Sequence, residues 1–373
     1  MPDYKNQHYV PRAHFKPFSI DGAGKAINIY LLSQDRPVWG APINGQCAKS
    51  YFYGEDGQLE KLLGRMEGAF GGLLSKLANE KFRPDEQDQW LLRYFILLQS
   101  LRTAEQMARG LARVTHMSDF FRKSEEAHGQ EWDASQDPTP ESVLQELMLA
   151  FNDQLQAGTI DDLKVAIVRN RTSRDFVTSD DPAVMTNRWL IQRKEIRSFG
   201  FNAAGLVFFL PLGPRALALA YDPAVYSVPV TGSGRVDLKR EGDVLAFNEH
   251  QYMRAADTLY FARPSEAPSI AAEYRATVPF RPERWDRFTV AKHESETETH
   301  TKFIVDEPEE VAKANHILFH LASEWPVPPR WPSILRYRSN AHGYTRGRII
   351  VRRAHMRDPF DDLGEMPAYV RTY

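Results

Sequence analysis

Near its start the chain reads Gln7-His8-Tyr9-Val10-Pro11-Arg12, with His14, Phe15 and Phe18 close behind. His8 brings the one side chain that changes charge near neutral pH unaided, and Pro11 pushes Val10 toward an extended conformation, so the imidazole rides on a stiff segment. General acid–base work is the chemistry this suggests, and a structural hydrogen bond is the plainer alternative. Glu60, Gly64, Glu67 and Gly71 line one flank of a helix whose core face is Leu59, Leu63, Met66, Phe70 and Leu77. Glycine costs a helix up to about 1 kcal/mol relative to alanine, so its repetition implies a close neighbour. The two glutamates read either as exposed groups or as the carboxylate wall of an active site. Arg102 ends the apolar run Leu91, Phe95, Leu98, so its charge needs a partner. Glu67, Asp180, or a ligand phosphate or carboxylate held bidentately would each serve. Thr178-Ser179-Asp180-Asp181-Pro182 sets hydroxyls and acids at a strand end, a place for reacting groups and equally for a turn held by side-chain to backbone bonds.

Other patterns carry less. Ser179 lacks the flanking glycines of a nucleophile elbow. His316 and His320 sit four apart in a segment that reads as helix, a spacing able to bind a metal, but Ile317 stands where a glutamate belongs. His293 and His300 lie in an acid-rich stretch, and Gly232-Ser233-Gly234 has neither the lysine nor the spacing of a phosphate loop. No dinucleotide fingerprint supports a transferase using a nucleotide such as NAD.

Charge is unevenly placed. From Arg330 to Arg357 there are eight arginines with no lysine and no acid, and since the net charge is −2 the remainder carries about −10. Trp331, Tyr337, His342 and Tyr344 are interleaved with these cations. Arginine favours planar phosphate contacts and stacking, so Arg336, Arg338, Arg346, Arg348, Arg352 and Arg353 are candidate nucleic-acid ligands. A tail that neutralises the acidic body by docking on it is the alternative.

These groups must be positioned by a chain of 373 residues, 42% hydrophobic, enough for one large core or two. Cys47, the single cysteine, makes no internal disulfide, and no apolar run approaches the roughly 18 to 20 residues that span a bilayer. Without a basic leader the expected setting is cytoplasmic, with no membrane partner. Residues 26–32 alternate as a strand. Helices are expected over about 58–80, 84–115, 116–128 and 138–157. Period two then marks strands at 163–168, 175–179, 188–198, 206–210 and 216–221, joined without helical crossovers. A helix at 241–262, a linker at 264–282, a helix from Pro308 to before Pro326 and a stiff proline spacer at 326–332 complete the reading. The fold class is α+β, a mainly helical N-terminal half, after an extended N-terminal segment, packed on an antiparallel sheet of about five strands. Residues 1–265 form the composite core and 266–373 an extension.

Four of these motifs carry a resemblance. The Gln7–Pro11 opening, Gln99-Ser100-Leu101-Arg102-Thr103, Thr178 to Val184, and a helix from Asn248 to Phe261 stand in the order shown by the bacterial family known as domain of unknown function 4238. The resemblance spans roughly residues 5–265; His14 departs from it where a larger apolar residue is expected. It implies an intracellular bacterial protein, with some relatives in antiviral defence settings, and fixes no reaction.

The expected function is a defence-associated effector hydrolysing a phosphate-containing substrate, RNA or DNA preferred. His8 would be the acid/base, Glu67 and Asp180 the carboxylates positioning water or a divalent ion, and Arg102 the charge clamp. The competing expectation is a non-enzymatic sensor or adaptor, with the motifs forming a buried network and the tail binding nucleic acid or a phage component.

Overall fold

The computed structural model describes residues 5–297, 300–346, 349–356 and the backbone of 369–371. The opening Gln-His pair forms β1 (Asn6–His8), and Pro11 starts the short α1 (Arg12–Phe15). Strands β2 (Ala26–Leu31), β3 (Arg36–Pro42) and β4 (Ala48–Ser50) follow, with β4 returning antiparallel to β1 so that His8 faces Ala48.

Four longer helices come next: α2 (Gln58–Leu77), α3 (Glu86–Gln99), α4 (Ala104–Ala127) and α5 (Pro140–Gln156). The leucine and phenylalanine spacing of α2 buries Leu63, Phe70, Leu73 and Leu77, and Phe70 stacks on Phe95 of α3 at 3.6 Å between ring centroids. The helices expected at 84–115 and 116–128 are cut differently. The chain breaks at 100–103, where the Thr103 hydroxyl caps α4 by accepting the Gln106 N–H. Such a cap is worth about 1 kcal/mol. The break places Arg102 in a junction, where it turns inward.

Beyond α5 run β5 (Lys164–Asn170), β6 (Thr178–Ser179), β7 (Val184–Thr186), α6 (Arg188–Arg193), β8 (Val207–Gly213), β9 (Ala216–Tyr221), β10 (Tyr226–Ser227) and β11 (Arg235–Leu238). A five-stranded sheet exists in the order β11-β5-β9-β8-β7, with β11 parallel to β5 and the other pairs antiparallel. Three of the five expected strands belong to it. The segment 175–179 contributes β6 to another sheet, and 188–198 is not a strand because the Asn187 side chain caps α6 by accepting the Leu190 N–H at 2.9 Å.

Helix α7 (Glu241–Arg254) stops short of the expected 262, and the chain re-enters a sheet as β12 (Thr258–Phe261). The cause is Asp180, whose carboxylate accepts the backbone N–H groups of Ala256, Asp257 and Thr258 and pins the turn. β12 lies between β2 and β6 in a sheet ordered β3-β2-β12-β6. The expected linker at 264–282 holds α8 (Ala267–Thr277).

The remaining elements are β13 (Asp286–Glu296), β14 (Thr301–Val305), the one-turn α9 (Pro308–Val311), β15 (Ile317–Ser323), β16 (Arg336–Tyr337), β17 (Tyr344–Arg346), β18 (Ile349–Val351) and β19 (Tyr369–Arg371). β15-β13-β14-β19 make a further four-stranded sheet. The helix expected from Pro308 closes at once, and residues 317–323 follow the pleat of β13 instead. The architecture is therefore mixed, with several small sheets. The N-terminal half is helical over α2 to α5 and also supplies β1 to β7, so one helical layer on one sheet does not describe it. Ile334 and Leu335, late in the chain, are buried in the same apolar core as Phe95, Leu210 and Phe247. Among the described residues no helix is long and apolar enough to cross a membrane.

Candidate functional site

Docking α2 against α3 brings Glu67 and Arg102 together, Arg102 Nη1 donating to Glu67 Oε1 at 2.7 Å. Arg102 is fully buried and the Glu67 side chain is 23% exposed, so the pair spans from the interior to the edge of the protein. The Arg102 Nε donates to Gln99 Oε1 at 3.1 Å, while the other end of the Gln99 amide donates to the Tyr9 carbonyl at 2.8 Å. One glutamine thus ties the helix junction to the strand carrying His8. Gln7, also fully buried, donates to the Gly54 carbonyl and accepts the Tyr53 N–H, which draws Tyr53 into the same cluster.

His8, Tyr53, Glu60, Glu67 and Arg102 form one electrostatic group. Burial lowers the His8 pKa, the Arg12 guanidinium lowers it further, and the Asn44 backbone and Glu67 pull the other way. Glu60 is raised, first by burial and then by Glu67, with Arg102 opposing. Burial pushes the Tyr53 phenol up as well. Three buried polar atoms here, His8 Nε2, Glu60 Oε2 and Arg102 Nη2, have no hydrogen-bond partner. Such atoms are rare in folded proteins and call for a water, ion or ligand. The glycines on this flank divide. A Cβ at Gly71 would meet Ala13 Cβ at 3.4 Å, the expected close packing, whereas one at Gly64, between the two glutamates, would meet nothing within 4 Å.

Asp180, expected beside these groups, is spent on the turn after α7. Burial raises its pKa to about 6 against the pull of the three amides. Its neighbour Asp181 makes the connection instead, accepting from Thr103 Oγ1 at 3.0 Å and Gln106 Nε2 at 2.9 Å and pairing with Arg254 Nη2 at 2.5 Å. Ser179 Oγ donates to Gln251 Oε1, whose amide donates to the Pro182 carbonyl, and the Asn248 side chain bonds the backbone on both sides of Phe176. Asn248, Gln251 and Arg254 are three apart on α7, which puts them along the face toward this loop. His14 is buried and its Nε2 lies 2.8 Å from Thr178 Oγ1, with its pKa driven down to about 3 by burial and by Arg102. The four motifs therefore interlock as one polar framework.

Arg352, named as a nucleic-acid ligand, is corrected to a structural role. It is buried, and its nitrogens are taken by Asp162 and the carbonyls of Phe201, Ala203 and Thr159. This is the counter-charge alternative realised at one position. Arg336, Arg338 and Arg353 are exposed, with Arg338 Nε donating to the Pro223 carbonyl; Arg346 is half-buried, and Arg348 lies outside the described residues. His320 lies within β15 and His316 just before it; a strand advances about 3.3 Å per residue, so four residues carry the rings too far apart to share one ion. Among the described residues no three His, Cys, Asp or Glu side chains gather as a metal-holding group.

A cavity of about 310 Å³ opens where this framework meets β13 and β15, lined among others by Ser100, Gln106, Arg109, Arg254, Trp285 and Trp325. Sequence reading missed it, because Arg109, Trp285 and Trp325 are far apart in the chain and belong to no motif. Tyr53 was missed for a related reason, and Gln7 and Asp181 stood in motifs without a role of their own, since each acts through a contact that only the fold creates.

No curated protein and no solved structure matches this chain. The family described as "Protein of unknown function (DUF4238)" matches residues 6–265, and its span holds all four interlocked motifs. The chain belongs to that family.

Proposed function

We propose that this protein is a hydrolase of a phosphate-containing substrate, RNA or DNA preferred, whose acid–base groups are His8, Glu60 and Glu67. The observation that carries the reading is the pair of buried, unpartnered atoms His8 Nε2 and Glu60 Oε2 beside Glu67, whose side chain is 23% exposed. Burial drives both groups toward their neutral forms, an imidazole able to accept a proton and a carboxyl able to donate one. His8 is held toward the neutral imidazole and serves as base, while Glu60 is held toward the protonated carboxyl and serves as proton donor. Arg102 is too buried to clamp substrate, so its part is to orient Glu67. Arg12, exposed and close enough to act on His8, offers a cation for the phosphate. Asp180 leaves the catalytic set and takes a positioning role at the α7 turn.

The antiviral setting implied by the resemblance and a cytoplasmic location belong to the same proposal. A non-enzymatic sensor is the second reading, favoured by the completeness of the buried framework around Asp181. Incubating the purified protein with single-stranded RNA, single-stranded DNA and duplex, with magnesium, manganese or EDTA, separates the two. A product that disappears in Glu60→Gln supports the enzyme, and no product in any condition leaves the sensor.

A further inference from the structure

The cavity beneath Arg109 and Arg254 stands apart from the acid–base cluster and has the marks of a built site. Arg254 is 4% exposed and its Nε, buried, has no partner, although Nη2 is held by Asp181. Asp181 also holds Gln106, so two polar side chains of the lining share one anchor. The Arg109 guanidinium carbon lies 3.7 Å from the Trp285 ring centroid, with Nε fixed by Glu105 at 2.7 Å. Trp325 stacks on Phe199 at 5.2 Å and 17°, and the Trp325 indole N–H is used on the Phe199 carbonyl. The walls thus combine an ordered aromatic stack with two oriented arginines, the pairing that suits a planar π-system carrying an anion. A volume near 310 Å³ is at the small end of small-molecule sites, too small for a folded polymer.

We infer that this cavity binds a mononucleotide, the base against the Phe199–Trp325 wall and the phosphate on Arg254 and Arg109. Its lining draws on both the family span, through Arg109 and Arg254, and the later residues Trp285 and Trp325, so an occupant bridges the two. The site is independent of the hydrolase proposal and stands or falls by different residues.

Intrinsic tryptophan fluorescence and calorimetry with adenosine monophosphate, guanosine monophosphate, adenosine and inorganic phosphate test it on the full chain. The expected result is saturable binding of one or both nucleotides, with adenosine and phosphate weaker by roughly tenfold or more, about 1.4 kcal/mol. Arg109→Gln and Trp325→Leu should each weaken nucleotide binding by a similar factor. Arg254 is avoided because its pairing with Asp181 is structural. Should Arg109→Gln fail to fold, as judged by circular dichroism, Trp325→Leu decides alone. No saturable binding at millimolar nucleotide, or binding unchanged in both cavity variants, would overturn the inference.

Discussion

Arg102 and Glu67 meet at 2.7 Å across the α2–α3 contact, the guanidinium fully buried and the carboxylate at the protein's edge. Removing one partner of such a pair strands the other charge, and the penalty falls hardest where the stranded charge is the buried one. Glu67→Gln should therefore destabilise the protein by about 3 kcal/mol or more, read from urea unfolding. Combining it with Arg102→Met should cost less than the two singles added. Additive losses would mean that the two side chains do not interact.

Opposed protonation of His8 and Glu60 gives the activity a shape in pH. A base whose pKa lies below 6.5 fails only as pH falls through that lowered value, and an acid whose pKa lies above 4.5 fails as pH rises through its raised value. The expected pH–rate profile is a bell with its optimum on the acid side of neutrality. Glu60→Gln should lower the rate and remove the alkaline limb. A profile still rising above neutral pH would remove Glu60 from the role.

His14 gives a stability signature of known sign. Its folded pKa of about 3 lies below the unfolded 6.5, so the unfolded chain binds the extra proton between these values. The contribution is fully present above pH 6.5 and is lost as pH falls toward 3, by on the order of 5 kcal/mol at most. Asp180 acts oppositely, with its pKa raised to about 6, so the informative quantity is the difference between wild type and His14→Gln. Glutamine keeps a partner for Thr178, and the variant should lose less stability than wild type on acidification. Parallel curves for the two proteins would contradict a buried neutral imidazole.

Arg352, buried on Asp162, is not free to meet a nucleic acid, which leaves the exposed arginines of the tail. If exposed arginines contact nucleic acid, replacing Arg336 and Arg353 by glutamine should lower the salt slope for single strands by about 1.4, at roughly 0.7 per phosphate contact. Arg352→Gln should instead lower the thermal midpoint, because it leaves Asp162 and three carbonyls without their donor. Anisotropy at several salt concentrations reads the first effect and thermal unfolding the second. An unchanged slope in the double variant would leave the tail as internal counter-charge.

What the sequence made legible was local. The α2 period, the strands at 26–31 and 216–221, and the need of Arg102 for a carboxylate all follow from spacing and desolvation. What it hid depended on distant partners. Helix α7 stops because an aspartate more than seventy residues earlier takes the three amides of its turn, and α6 displaces an expected strand through a single asparagine cap. Asp180 and Asp181 are adjacent and chemically identical, so only the fold assigns one to a backbone turn and the other to Thr103 and Arg254.

The most direct measurement on the central claim compares His8→Gln with wild type for hydrolysis of single-stranded RNA and DNA and for thermal unfolding in the same preparation. Product formation should disappear while the midpoint stays within about 2 °C, less than a 1 kcal/mol loss would produce in a domain of moderate size. Retained hydrolysis in the variant, or a fall of many degrees accompanying its loss, would contradict it and return His8 to a structural part.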